Sequence, residues 1–146
     1  MSDDIKQKIV DCLKEHKWLN LGTVDRDGKP MVHTMAYASD GAVIYFGTGK
    51  DTRKVANMAN NPYVACTVDD DEVEVMAITG LQLEGKASVV TDENEAGKAY
   101  GLMLEKFPFM AELPTESENL LFKVEPVKAY YLDYTKGFSH RDMVTY

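Results

Sequence analysis

From Trp18 onward, turn residues cut the chain into short β-prone runs, and that spacing decides most of what it can fold into. WLNLGTVD (18–25) and MVHTMAYA (31–38) are strand-like, and DRDGKP between them offers Gly28 for a positive φ. Ser39-Asp40-Gly41 turns the chain into AVIYFGT (42–48), so the three runs read as an antiparallel meander. Further strands are expected at YVACTVD (63–69) and LQLEGKASVV (81–90), separated by the acidic turn DDDEVE and the apolar bridge VMAITG. LLFKVEP (120–126) and VKAYYLDY (127–134) look like the last two strands, and KGFSHRDMVTY is a tail. An open sheet of this size exposes two edges, and closing it into a barrel removes them. The expected fold is therefore mainly β: a barrel of six or so antiparallel strands with peripheral helices.

Three helices are expected around the barrel. Ser2, Asp3 and Asp4 look like a cap with acids in the first turn, and Ile5, Ile9, Cys12 and Leu13 share one face of a helix ending near Lys17. Thr52 can cap RKVANMAN (53–60), which stops before Pro62 because the residue preceding proline disfavours helical geometry. Asp92 or Thr91 opens the third, with Ala96, Tyr100, Met103, Leu104 and Phe107 as its apolar side. FPFMAELPTESEN (107–119) reads as a loop. No repeat or linker divides the 146 residues, so residues 1–146 form a single domain.

Charge narrows the function. With 24 acidic residues against 16 basic ones, the net charge of −8 repels nucleic acid and anionic membranes, so neither is an expected partner. No run approaches the roughly 18 apolar residues of a membrane span. The first residues carry acids where a signal peptide carries bases, so a cytoplasmic location is expected. Cys12 and Cys66 lack redox or metal spacing and read as buried, reduced thiols. The acids from Asp69 to Glu74 lack the glycine and terminal glutamate of a calcium loop, so no metal is expected there.

Bases are concentrated once, at Lys50, Arg53 and Lys54 in GTGKDTRK (47–54). Two glycines allow close backbone approach, Thr48 and Thr52 carry hydroxyls, and the helix start supplies free N–H groups. Arg53 presents a fork suited to phosphate oxygens and Lys54 adds a second charge. The stretch is neither a Walker A loop nor a Rossmann glycine motif. It reads either as a capped surface helix with two exposed bases or as a phosphate site.

The ordered set of strand, DGKP turn, strand, DG turn, IYFGT, RK at a helix start and NP at its end resembles the pyridoxamine-phosphate-oxidase-like split-barrel family. LEGKA, the Phe-Pro after the third helix and LFKVEPVKAYYLD extend the resemblance over roughly Trp18 to Asp133. The resemblance implies a six-stranded antiparallel split barrel of Greek-key type, with FMN between the two subunits of a homodimer. It places Arg53 and Lys54 at the flavin phosphate, and Gly47 and Thr48 at the strand end that contacts the cofactor. Val32, His33, Thr34 and Met35 then match the segment whose backbone runs along the isoalloxazine edge. Gly80 falls near a flavin-contacting glutamine of the true oxidases. An arginine at the start of the Val32 segment and a lysine near Tyr37 are also missing, and the basic, histidine-containing C-terminal motif that grips pyridoxal phosphate is matched only loosely by GFSHRD, which keeps His140 and Arg141. Flavin binding survives these departures; vitamin B6 oxidation does not.

The implied function is that of a flavin-dependent oxidoreductase acting on an unidentified small molecule, with a nicotinamide or another reductant as electron donor. The alternatives are a non-catalytic flavin-binding electron carrier or stress-response protein, and a haem-binding protein using His33 or His140 as axial ligand. A deazaflavin, with its anionic tail, suits a chain of net charge −8 poorly. No serine–histidine–acid or cysteine–histidine pattern is legible, so no catalytic residue is named; hydride transfer runs through a flavin's own ring. On its strand His33 faces either flavin or solvent. His140 and Arg141 read either as closing over the partner subunit's flavin on the substrate side or as a frayed end. Tyr130, Tyr131 and Tyr134 look like packing residues, and Trp18 looks like core or subunit interface.

Overall fold

The computed structural model describes residues 2–112 and 119–146. Alternating polar and apolar residues make strands whose faces differ, and burial follows that period: in β5 (Tyr63–Asp69) Val64, Cys66 and Val68 point inward and their neighbours outward. The same alternation runs through β1 (Trp18–Val24), β2 (Pro30–Ala36) and β6 (Thr79–Val89). With the short β3 (Ala38–Asp40), β4 (Val43–Gly49), the long β7 (Asn119–Asp133) and β8 (Arg141–Thr145), they form one antiparallel sheet. Its path is β2-β1-β5-β6-β7-β4-β3, with β8 pairing β7 off that path. The two ends of the path, β2 and β3, are joined through Tyr37 alone, so the sheet curls until its ends meet. The result is the expected split barrel.

Three expectations about strand pairing need correction. β4 does not follow β2 in a meander; it pairs with β3 and, across the barrel, with β7. Tyr37, fully buried, turns the chain at the corner after β2, and Phe46 meets Phe122 at a ring separation of 5.8 Å. Ser39 and Asp40 lie in β3, and the turn falls at Gly41, with φ 59°. The sequence from Asn119 to Asp133 is one strand of 15 residues, not two. Pro126 pairs with Gly85 where the β6–β7 register shifts, a bulge that accommodates a residue without an N–H. The tail is not frayed: it adds β8, and with the short β3 the described residues form eight strands where six or so were expected.

The helices close the open sides of the barrel. α1 (Ser2–Glu15) stops short of Lys17 and buries Ile5, Ile9, Cys12 and Leu13 against the sheet. Its last turn is tied down where Tyr37 Oη donates to the Leu13 carbonyl at 2.7 Å. α3 (Glu93–Lys106) is capped by Asp92, whose carboxylate accepts from Glu95 N at 2.9 Å. It buries Ala99 and Met103, whereas Tyr100 is 53% exposed, so its apolar face is shifted from the expected one. From the sheet side, the Tyr45 hydroxyl donates to Glu95 at 2.8 Å. Trp18 is an exposed residue that stacks on Phe107 rather than a core side chain. Part of the expected loop is a short 3-10 turn, Pro108–Glu112, and 113–118 lie outside the described residues. No helix among the described residues is long and apolar enough to cross a membrane.

Candidate anion and cofactor site

β4 ends at Gly49 and α2 (Arg53–Asn60) begins four residues later, with Thr52 as the hinge between them. Thr52 N and Oγ1 both donate to the Gly49 carbonyl, at 3.3 and 3.0 Å. Oγ1 also accepts from Val55 N at 3.4 Å, capping the helix. Thr48 Oγ1 lies 3.4 Å from Thr52 Oγ1 and acts as donor, because the Thr52 proton is already committed to Gly49. Both hydroxyls therefore build the turn, where the sequence had offered them as ligand donors. What the turn leaves free are the Arg53 and Lys54 N–H groups, the first of the helix and outside its own ladder. Among the described residues neither the Arg53 nor the Lys54 side chain is in an ion pair. Lys50 is exposed on the same turn.

β2 carries His33, whose ring feels the charges of Lys54 and Arg53. Of the four expected contacts on that strand, His33 and Met35 face inward, whereas Thr34 is exposed and Val32 is 71% exposed on the outer face. The segment thus presents two different surfaces. His33 Nδ1 is buried and has no hydrogen-bond partner among the described residues. Burial, and then the charges of Lys54 and Arg53, hold its pKa below the ordinary histidine value, so the ring is neutral at pH 7. Two unpaired cations and two free helix N–H groups share the helix start. Cations and free N–H groups at a helix start are donors that suit an anion.

α2 is held in this orientation by a residue the sequence did not flag. Asn57, 7% exposed, donates from Nδ2 to Thr23 Oγ1 at 3.0 Å and lies 3.4 Å from Met31 Sδ. Only its place on the inner face of a helix pointed to it. Gly47 is exposed, and a Cβ there would come no nearer than 4.0 Å to Leu120 O, so the surface over the strand end is clear. Gly80 is different: a Cβ would fall 2.9 Å from Val68 O, so the backbone is closely packed there.

On the outer face, Thr34 Oγ1 donates to Asn20 Oδ1, and Asn20 Nδ2 to Thr67 Oγ1, each at 3.3 Å. Beside this polar row lies a groove of 510 Å³, floored by Gly22 and Ala65 and walled by Val32, Tyr63 and Val127. The tail residues stand elsewhere. His140 Nε2 is 3.2 Å from Asp142 Oδ2, and Arg141 sits 4.3 Å over the Tyr130 ring with Nη1 3.4 Å from Gln82 Oε1. Within the chain, these contacts tie His140 and Arg141 to the β6–β8 side of the sheet, apart from Arg53 and Lys54.

The pyridoxamine 5'-phosphate oxidase family model matches residues 5–133, nearly the whole barrel. The chain belongs to the pyridoxamine 5'-phosphate oxidase family. Within that family it is 35% identical over 123 residues to general stress protein 26 of Bacillus subtilis, covering 80% of this chain and 86% of the relative. It is also 25% identical over 146 residues to the heme oxygenase HutZ of Vibrio cholerae, covering 97% of this chain and 81% of the relative. The crystal structure of general stress protein 26 from Bacillus anthracis superposes with a TM-score of 0.72 at 22% identity, covering 97% and 98% of the two chains. The barrel is thus a pyridoxamine 5'-phosphate oxidase barrel, and its relatives include both stress proteins and a haem protein.

Proposed function

We propose that this protein binds FMN and acts as a flavin-dependent oxidoreductase on a small molecule. The observation that carries the reading is the pair Arg53 and Lys54, in no ion pair among the described residues, at a helix start capped by Thr52. Arg53, Lys54 and the first N–H groups of α2 would hold the phosphate, with Gly47 and Thr48 at the strand end beside it. The backbone of Val32, His33, Thr34 and Met35 would border the ring. A flavin supplies hydride transfer through its own ring, so the chain's task is to bind, orient and exclude water. A second copy of the chain would complete the site as a homodimer. The apolar groove walled by Val32 and Tyr63, exposed to 71% and 61%, supports that assembly. His140 and Arg141 would then take the substrate side of the partner's site, and a cytoplasmic location is consistent with this reading.

Purified protein should be yellow, release FMN on heating, sediment as a dimer and reoxidise after reduction by a nicotinamide cofactor. A colourless protein that gains no flavin absorbance on adding FMN would refute flavin binding. Reduction of one-electron acceptors alone would place it instead as a flavin electron carrier or stress-response protein. Haem binding is the second reading, and one observation favours it. The His140 ring has a carboxylate partner in Asp142, the arrangement that orients an imidazole toward a metal. An intense Soret band on haem addition, lost in His140→Ala, would favour that reading over the flavin.

A further inference from the structure

We propose that Lys106 is a site of covalent modification, its amine taking an acyl group from small acyl phosphates. The inference is independent of the anion-site reading above. It starts from the last residue of α3, whose side chain reaches back to the end of α1. Lys106 Nζ donates to the Leu13 carbonyl at 3.1 Å and stands 3.7 Å from the centre of the Tyr37 ring. The Tyr37 hydroxyl donates to the same carbonyl at 2.7 Å, and the Phe107 ring centre lies 5.9 Å from the amine. A carbonyl dipole and two aromatic rings are therefore its near neighbours. Among the described residues Lys106 is in no ion pair.

A half-buried lysine without a carboxylate is unusual, because desolvation disfavours the ammonium and a neutral carbonyl repays only part of that cost. Burial pushes the Lys106 ammonium down to about 8. At pH 7 roughly a tenth of such amines carry a free lone pair, against less than about a thousandth for an ordinary lysine. A weaker base is also a weaker nucleophile, and that returns part of the gain. The net advantage at neutral pH is on the order of tenfold in rate.

The amine also has an approach for a reagent. It borders an open cleft of 460 Å³ between the ends of α1 and α3 and β3, lined by Lys14, Ala38, Ser39, Leu102 and Glu105. Lys14 is exposed and in no ion pair among the described residues. The two lysines outnumber the lining's one carboxylate, Glu105, so an anionic acyl donor is favoured over a neutral one. In the step, the Nζ lone pair attacks the acyl carbon, a C–N bond forms and the C–O bond to phosphate breaks. Inorganic phosphate leaves with the electron pair, and the amine's proton passes to water. Nothing is oxidised or reduced. The product amide is uncharged, so the junction of α1 and α3 loses the cation that faced the Leu13 carbonyl.

The test is the acetylation rate of each lysine in the native protein, read by mass spectrometry. Amines left unreacted are afterwards labelled with heavy acetic anhydride in denaturant, so every lysine is its own reference. Light acetic anhydride, which is neutral, reads the intrinsic reactivity; acetyl phosphate reads the choice of donor. At pH 7 Lys106 should react with the anhydride about tenfold faster than the exposed Lys29, with a rate that is half-maximal near pH 8. Lys14→Gln should slow acetyl phosphate severalfold at Lys106 and leave the anhydride rate unchanged. If Lys106 reacts with the anhydride no faster than Lys29, or keeps gaining rate up to pH 10, the reactive amine is overturned. If the amine is fast but Lys14→Gln leaves the acetyl phosphate rate as it was, the acyl phosphate assignment is overturned. Neither result bears on flavin binding.

Discussion

Asn57 Nδ2 lies 3.0 Å from Thr23 Oγ1, and this buried pair fastens α2 to β1. Thr23 is 1% exposed, so removing its partner leaves a hydroxyl with no water to replace it. Asn57→Ala should cost on the order of 1–3 kcal/mol in urea denaturation and weaken ligand binding by loosening the helix that carries Arg53 and Lys54. An unchanged unfolding midpoint would show that the pair contributes nothing.

Arg53 and Lys54 bond no acid among the described residues, so reversing them should spare the fold. The double variant Arg53→Glu, Lys54→Glu is expected to lose FMN retention while its circular dichroism and melting temperature stay near wild type. Undiminished affinity in that variant would remove the phosphate from this helix start.

Two glycines should respond differently to the same change. At Gly85, a Cβ would stand 2.6 Å from Val124 Cγ1 and 2.7 Å from Glu125 O, inside the β6–β7 bulge. Gly85→Ala should therefore destabilise by about 1–3 kcal/mol, as overpacking does. Gly47→Ala meets nothing closer than 4.0 Å and should leave stability near wild type. Equal melting temperatures for the two variants would contradict the bulge packing.

Glu95 receives the Tyr45 hydroxyl at 2.8 Å and Lys123 Nζ at 3.2 Å. The Tyr45 hydrogen bond first, and the Lys123 bond second, hold its carboxyl below the usual carboxylate range. Burial first, and Glu95 second, push the Tyr45 hydroxyl up to about 12. A carboxylate whose folded pKa is depressed adds stability above its unfolded value and loses it as pH falls through the folded one. The melting temperature should therefore drop between about pH 5 and about pH 3, and Glu95→Gln should flatten part of that drop. Identical acid sensitivity in wild type and variant would sink this account.

Local features were legible where neighbours in the chain supply the physics. Thr52 and Asp92 cap their helices, Gly28 takes φ 80°, and Ile5, Ile9, Cys12 and Leu13 bury one face, because capping, turn and period signals act over a few residues. The basic pair at Arg53 and Lys54 was legible for the same reason: charge clustered against an acidic background is a property of composition. What failed was pairing at a distance. Consecutive strands usually pair, which puts β4 beside β2, whereas Tyr37 turns the chain and Phe122 supplies the partner for Phe46. The order of the tail is not legible locally, because β8 forms only against an existing β7 edge.

By itself, then, the sequence determined the helices, most of the strands, the barrel class and a basic turn at Lys50, Arg53 and Lys54, since these depend on propensities and charges read along the chain. Tertiary structure alone decided that Thr48 and Thr52 spend their hydroxyls on the turn, and that Asn57 fixes the helix to Thr23. It also decided that the His33 ring feels the charges of Arg53 and Lys54 and has a bare nitrogen. The reason is burial: a side chain's partners, and whether it has any, are set by which surfaces the closed barrel brings together and shields from water.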